Sequence, residues 1–367
     1  MSLRLDSVSF ENFRNHEKFD SGSLGALNIF IGSNGVGKTN IIEGIQLVTS
    51  LDSFRHPKWD EVVRRGERLA KIDAHIVGDG RDIVVGFKSS DCRRFYQLNG
   101  KRKNSKDIRG ILPSVLFNPD DLQLIKGSAE VRRDGLDSIG VQISNTYHDL
   151  KKEYQRTIRQ KNKFLQSPEI NLSLLDTWNE NETLIATSYV KHRLRLFSAF
   201  RKNFLSIWPE LAHNLSLNVV YIPSWEDEKG KEIEEPDYDE TEIREKIGNT
   251  IRSHKDAEVA AGRSLVGPHK DDIRFYLDEA DARRFASQGQ QRLITLVWKI
   301  AEMETISEIC GQQPLLLLDD VLSELDRDKK RILMEYLVGR NQTFITSTDV
   351  DALDDRILSN ANIYKVG

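Results

Sequence analysis

The stretch that most constrains this chain is GSNGVGKT, residues 32–39. It matches G-x-x-x-x-G-K-[ST], and its flanks suit it: the apolar run LNIFI (27–31) leads in as a strand, and a helix leads out from about residue 38. Glycines at such a turn let backbone N–H groups point inward around anionic oxygen, and the helix start adds the positive end of its dipole. The expected phosphate loop comprises Gly32, Ser33, Asn34, Gly35, Val36, Gly37, Lys38, Thr39 and Asn40. In it Lys38 would neutralise the β- and γ-phosphates of ATP, and Thr39 would hold Mg²⁺. The bland alternative is an ordinary glycine-rich strand–helix turn.

A phosphate loop needs a carboxylate at the end of a neighbouring strand to complete the Mg²⁺ shell. PLLLLDD (314–320) supplies it, because a run of leucines suits a parallel strand buried on both faces. Asp319 is then the metal carboxylate and Asp320 the group that orients or deprotonates the attacking water. A helix-capping role for Asp320 is the competing interpretation. Lys38 and Asp319 stand at opposite ends of the chain, whereas small GTPases and nucleotide kinases keep these elements closer. The base-recognition motif N-K-x-D is absent, since NKFL (162–165) lacks the acid. A late aspartate strand preceded by a serine-led helix is the order found in ABC-type ATPases.

The rest of the chain fits an α/β head interrupted by an insertion. Short β-rich runs occupy the first third: LRLDSVSF (3–10), KIDAHIV (71–77), DIVVGF (82–87) and SVLF (114–117). After NPDD (118–121) the pattern becomes helical and charged, with apolar residues three or four apart across 183–208. LNVVYI (217–222) and DIRFYL (272–277) are expected strands, and strand–helix alternation returns through QTFITST (342–348) and NIYKV (362–366). WEDEKGKEIEEPDYDETE (225–242) is acidic and nearly free of apolar residues, which predicts a mobile surface excursion. The expected division is a head from 1–118 and 255–367 and an inserted, mainly helical lobe from 119–254. No apolar run is long enough to span a bilayer, and MSLRLDSVSF lacks the pattern of a signal peptide. Cys92 and Cys310 are far apart without metal-ligand spacing, which points to reduced thiols in a cytoplasmic protein.

Motifs along nearly the whole length resemble the RecF family, bacterial DNA-repair ATPases of the SMC/ABC class. They are FENFRNHE (10–17), GSNGVGKTNIIEGI (32–45), SFR (53–55), FNPDDLQLIKG (117–127), RRDGLD (132–137), LVGPHKDD (265–272), FASQGQQR (285–292), LLLLDDVLSELD (315–326) and TFITSTD (343–349). GPHKDD together with SQGQQR is the narrowest of these combinations. Two positions depart from the usual pattern: Asp134 follows the paired arginines where an apolar residue is usual, and Lys270 stands where arginine is usual.

The resemblance implies an ABC/SMC-type P-loop ATPase head, with a mixed sheet and flanking helices. It implies that SQGQQR is the signature segment, acting in trans: Ser287, Gln288, Gly289 and Gln290 would meet the γ-phosphate held by a second copy's Lys38. A neutral hydroxyl with free helix-start N–H groups suits that contact; a plain serine N-cap is the alternative. Ser323, Glu324 and Asp326 would form the D-loop, and Thr346 and Thr348 would lie in the switch segment. Arg14 would reach the phosphates, or be a surface arginine. His269 in GPHKDD belongs to a structured turn rather than a metal site, as no further ligands accompany it.

The net charge of −4 gives no global support for nucleic-acid binding, so DNA contact requires local basic patches. KKEYQRTIRQKNK (151–163) and KHRLRLFSAFRK (191–202) qualify; FRHPKWDEVVRRGERLAK (54–71) mixes acids among its bases. No base-reading motif is visible. The expected protein is an ATP-switched, DNA-binding homodimer with slow ATP hydrolysis. By resemblance its partners are RecR and, through RecO, RecA at single-strand gaps. The rival readings are a nucleotide-sensing scaffold without useful hydrolysis and an ABC transporter ATPase subunit.

Overall fold

The computed structural model describes residues 3–90, 93–212, 215–226, 230–324, 330, 333, 339–348, 358–359 and 361–367, with backbone only at 323–324. The chain divides into two compact units, 1–121 with 302–367, and 122–301.

The first unit opens with β1 (Arg4–Phe13), β2 (His16–Asp20), β3 (Leu27–Ile31) and helix α1 (Lys38–Thr49). Then come β4 (Leu69–Gly78), β5 (Arg81–Ser90), β6 (Arg93–Leu98), β7 (Lys101–Lys103) and β8 (Ser114–Phe117). The second unit contains α2 (Gln123–Lys126), α3 (Ala129–Ile143), α4 (Asn145–Leu165), α5 (Leu172–Leu211), β9 (Leu217–Ile222), α6 (Glu240–Ser253) and α7 (Lys255–Ala261). It continues with β10 (Asp272–Leu277), β11 (Ala280–Asp281), α8 (Ala282–Phe285) and α9 (Gln288–Cys310), whose residues from 302 onward belong to the first unit. The chain returns to the first unit for β12 (Leu315–Asp319), β13 (Thr343–Ser347) and β14 (Asn362–Lys365).

Two sheets of opposite character build the first unit. An antiparallel sheet runs β2-β1-β4-β5-β6-β7, and a parallel one runs β14-β3-β13-β12-β8. β3 and β12 are apolar runs because their sheet is covered on both faces. α1 supplies Ile41, Ile42, Ile45 and Val48 to one core that also holds Phe10 and Ile72 of the antiparallel sheet and Leu317 and Phe344 of the parallel one. A helix with apolar contacts on both sides is held in place along its whole length. Burying each such side chain contributes roughly 1.5–3 kcal/mol, so the phosphate loop at the head of α1 rests on a rigid base.

The strand order corrects one expectation. β12 is not the neighbour of β3, because β13 pairs with both. The register puts Asp319 opposite Thr346, while the next residue along β13, Ser347, faces Ile31. The carboxylate strand therefore acts across an intervening strand, and that strand contributes a hydroxyl.

The second unit extends further along the chain than the expected 119–254. Residues 255–301 pack with it because β10 pairs antiparallel with β9, and because Glu258 of α7 accepts a 2.6 Å hydrogen bond from Lys161 of α4. Lys161 is fully buried and also donates to Glu182 Oε2 at 2.6 Å. Nearby, the buried Asp137 carboxylate takes both Arg193 Nε and Nη2, at 3.0 and 2.9 Å, and the Tyr147 and Tyr189 hydroxyls. Burial alone would push Asp137 up, but Arg193 and Lys151 hold it well below the usual carboxylate range.

The acidic stretch 225–242 is not a free excursion where it is described. Trp225 is fully buried, Ile233 exchanges backbone hydrogen bonds with Tyr221 at 2.9 and 2.8 Å, and Tyr238 donates to Glu226. One tryptophan and one isoleucine anchor a segment whose average composition hides them. No described helix is long and apolar enough to cross a membrane. Cys310 is half-buried, and burial pushes its thiol up; Cys92 lies outside the described residues.

Candidate ATP site

β3 ends at Ile31, the loop turns through 32–37, and α1 begins at Lys38. Gly37 adopts φ 109°, and a Cβ there would sit 2.5 Å from the Asn15 side chain and 2.6 Å from His16. Only glycine fits a left-handed backbone so tightly enclosed. Gly32 is equally confined: a Cβ would lie 2.3 Å from the Val366 carbonyl oxygen, beside the strand that completes the sheet.

Lys38 is buried, and its ammonium donates to the Gly32 and Ser33 carbonyls at 2.7 and 2.9 Å. These bonds hold the positive charge inside the loop. Thr39 Oγ1 donates to Asp319 Oδ1 at 2.9 Å, and Thr346 Oγ1 donates to the same oxygen at 2.8 Å. Residues from α1, β12 and β13 thus meet on one carboxylate. Burial pushes the Asp319 carboxyl above its ordinary value, opposed by these hydroxyls and by Arg55.

Asp320 is exposed, at φ 54°, and its N–H donates to Thr346 Oγ1 at 3.0 Å. Aspartate tolerates the left-handed region better than most residues. The kink turns the chain out of the strand immediately after Asp319. Ser323 and Glu324 lie in the 3₁₀ turn Val321–Glu324, and Asp326 lies outside the described residues. Thr346 is buried against Asp319, whereas Thr348 is exposed.

Arg14 is engaged away from the loop carbonyls. Its Nε and Nη2 donate to the two oxygens of Glu43 at 2.9 and 2.6 Å, and Nη1 donates to the Glu61 carbonyl at 2.8 Å. Glu43, on α1, is fully buried and also accepts from Ser53 Oγ at 2.7 Å and Arg55 Nη1 at 3.1 Å.

From there the bonding reaches the loop. Arg55 donates to Asn40 Oδ1 at 2.6 Å, Asn40 donates to Asn15 Oδ1 at 2.7 Å, and Asn15 donates to the Val36 carbonyl at 2.9 Å. His16 Nε2 donates to the Gly37 carbonyl at 3.1 Å, and burial lowers its pKa, which favours the neutral ring. Tying the loop's carbonyls outward leaves its N–H groups free to converge on an anion. Asn15, His16, Glu43 and Arg55 were not singled out by sequence reading. They lie within quoted motifs, but no spacing rule assigns them to the loop.

The SQGQQR stretch, expected to be the signature segment, begins α9 in the second unit. Ser287 and Gln290 form a reciprocal capping box at the start of α9: Gln290 N donates to Ser287 Oγ at 3.2 Å, and Ser287 N donates to Gln290 Oε1 at 2.7 Å. Gln288 and Gly289 form the helix's first turn, and the preceding Phe285 is 72% exposed.

His269 is a structural residue of its turn. Its Nδ1 lies 2.6 Å from the Tyr154 hydroxyl, and burial lowers its pKa to about 3. A histidine held neutral in the fold but protonated at its ordinary 6.5 when unfolded contributes stability that is lost as pH falls from 6.5 towards 3. The melting temperature is expected to drop across that window, and less steeply in a His269→Gln variant. Equal slopes in thermal scans at stepped pH would exclude the assignment.

A glycine-rich loop on α1, a carboxylate two strands away, an antiparallel sheet across α1 and an intervening second unit define the head of an ABC/SMC-type P-loop ATPase. The chain belongs to the RecF family: the RecF/RecN/SMC N terminal domain model matches residues 4–365, and the DNA replication and repair protein RecF of Lactobacillus johnsonii is 30% identical over 370 residues, spanning 99% of this chain and 97% of that one. The RecF of Bacillus velezensis is 32% identical over 375 residues, covering 99% and 98% of the two chains. Among solved structures, the recombination mediator protein RecF-ATPrS in the RecFOR pathway superposes with a TM-score of 0.89 at 26% identity, over all of this chain and 96% of that one. An Smc head domain from Pyrococcus furiosus shares the fold alone, with a TM-score of 0.53 at 15% identity over 99% and 93% of the two chains.

Proposed function

We propose that this protein is an ATP-hydrolysing DNA repair factor that works as an ATP-dependent homodimer on DNA. The observation that carries the proposal is the convergence of Thr39 and Thr346 on Asp319 beside the Lys38 loop. It is supported by similarity to proteins named for DNA replication and repair, and to a RecF described with ATPrS in the RecFOR pathway.

ATP would lie with its phosphates among the loop amides of residues 32–39, neutralised by Lys38. Thr39 and Asp319 are hard oxygen donors on a partly desolvated site, which suits Mg²⁺. When bound, the ion would offset charge on the β- and γ-phosphates. Asp320 would orient the attacking water. Thr346 links Asp320 N to Asp319 Oδ1, so movement of β13 would couple metal ligand to water-orienting group.

Ser287 of one copy would close the nucleotide held by the other, and Ser323, Glu324 and Asp326 would lie along the same seam. DNA would be gripped in the closed dimer and released after hydrolysis. RecR is the expected partner, with RecO and RecA downstream, in the cytoplasm.

Light scattering with and without ATP tests the dimer. Wild-type protein is expected to double in mass with ATP. Ser287→Arg is expected to bind ATP normally yet stay a single chain, because a bulky cation replaces the small hydroxyl at the contact. Normal ATP-dependent dimerisation of Ser287→Arg would remove its trans role. Phosphate release measured with and without DNA separates an ATPase from a scaffold: no turnover in either condition would favour the scaffold.

A further inference from the structure

Sequence offered three basic stretches, and the fold treats them differently. In 191–202, Lys191 pairs with Glu240, Arg193 is buried on Asp137, and Arg201 pairs with Glu234. In 54–71, Arg55 is held by Glu43, Arg64 pairs with Glu17 and Lys71 with Asp73, and exposed cations alternate with Asp60, Glu61 and Glu67.

The stretch 151–163 on α4 is different. Lys152, Arg156, Arg159 and Lys163 are all exposed, and among the described residues none of them makes an ion pair or side-chain hydrogen bond. Their spacing of four, three and four places them within an arc of about 60°, roughly opposite the buried seam of Tyr154, Ile158, Lys161 and Leu165. Glu153 lies about 100° away from Lys152 on the helix. A face that serves only solubility mixes signs at these spacings, since like charges three and four apart repel. Here all four are cations, in a row about 16 Å long.

A rigid loop adds to this row. Residues 264–272 are fastened from several sides: Arg193 donates to the Pro268 carbonyl at 2.6 Å, Ser224 to the Gly267 carbonyl at 2.8 Å, and Arg133 to the Asp271 carbonyl at 2.5 Å. Asp271 itself accepts from Tyr221 and from Ser224 N. Ser264 N donates to Asn162 of α4 at 2.7 Å. The side chain this loop leaves exposed and unpaired is Lys270. Burial and the neighbouring Arg263 and Arg133 guanidinium groups lower its pKa. An open cavity of about 450 Å³ joins the two features, lined by Arg133, Arg159 and Lys270 together with Glu130 and the ion-paired Lys151 and Asp134.

We propose that this face of the second unit is a nucleic-acid backbone site, in which the α4 row and Lys270 receive successive phosphates of duplex DNA. The row is as long as about five base-pair rises of the duplex axis. No exposed large apolar side chain lies on α4, whereas a protein partner would need an aromatic or aliphatic anchor. Gln155 and Gln160, both exposed, add neutral donors for phosphate oxygen. The proposal rests on the DNA-binding reading above and names the face that carries it. The cations of β7 (Lys101, Arg102, Lys103) have a separate explanation, since β7 is an edge strand and charge there blocks strand addition.

The test is fluorescence anisotropy of labelled short duplex DNA with ATP across a salt series. The variant carries Lys152→Gln, Arg156→Gln, Arg159→Gln and Lys163→Gln; a second carries Lys270→Gln, and a control carries Lys101→Gln, Arg102→Gln and Lys103→Gln. The fourfold variant is expected to lose about tenfold or more in affinity, equally for unrelated sequences, with the log–log salt slope shrinking by about 0.9 per phosphate contact removed. Lys270→Gln should give a smaller loss of the same kind, and ATP binding should be unchanged in all variants. Wild-type affinity and slope in the fourfold variant would overturn the site. So would loss in the β7 control alone, or loss of polyglutamate binding with DNA binding intact. Absence of salt-dependent DNA binding by the wild-type protein would instead overturn the DNA-binding reading itself.

Discussion

Lys38→Ala is expected to reduce ATP affinity by about a hundredfold or more while leaving the fold intact. Hydrogen bonds to charged groups contribute about 1.5–3 kcal/mol each, and a single ammonium facing polyphosphate supplies more than one. A loss of roughly 3 kcal/mol corresponds to about two decades in Kd. Structural damage should be small, because Lys38 is held only by the Gly32 and Ser33 carbonyls and makes no ion pair among the described residues. Its removal leaves two carbonyls in a loop that Asn15 and His16 still hold. Isothermal titration with ATP and a thermal scan decide together. An unchanged melting temperature with lost binding is the expected pair, and retained affinity would mean the phosphates are bound elsewhere.

Lys161→Met is expected to be the most destabilising single change. Lys161 is fully buried between Glu182 and Glu258, 2.6 Å from each. Breaking a buried ion pair from one side costs about 3–5 kcal/mol, since the charge left behind has no compensation; here two carboxylates would be left. The melting temperature should fall on the order of 10 °C.

The loss should also depend on pH in a defined sense. Burial pushes Glu182 up to about 7 from its ordinary 4.5, even with Lys161 beside it. The folded chain therefore binds a proton that the unfolded chain lacks between these values, and this group's contribution weakens as pH rises from 4.5 through 7. Without the ammonium, the penalty of ionising Glu182 grows, so the variant should be less damaged at pH 5 than at pH 8. A destabilisation independent of pH would remove the electrostatic account of Lys161 and Glu182. Adding Glu182→Gln and Glu258→Gln to Lys161→Met should restore part of the loss.

Local chemistry accounts for what was legible in advance. A phosphate loop needs particular residues at particular spacings, so GSNGVGKT is readable wherever it occurs. Buried parallel strands need mainly apolar runs, so LNIFI and LLLLD stand out, and their limits agree with β3 and β12. The paired strands LNVVYI and DIRFYL were equally plain. The acidic stretch misled because composition averages over residues, while burial of Trp225 and Ile233 depends on two of them.

Sequence alone determined that the chain carries a P-loop with a late carboxylate strand, because phosphate binding and sheet burial are local demands on residue type. Only the tertiary structure decided that β13 stands between β3 and β12, that Thr346 joins Thr39 on Asp319, and that Glu43 gathers Arg14 and Arg55. It also separated the basic stretches, leaving the α4 row unpaired while carboxylates distant in sequence took up Lys191, Arg193 and Arg201. The physical reason is common to all of these: a charge or hydroxyl is defined by its partner, and the partner is chosen by chain crossings that no local pattern records.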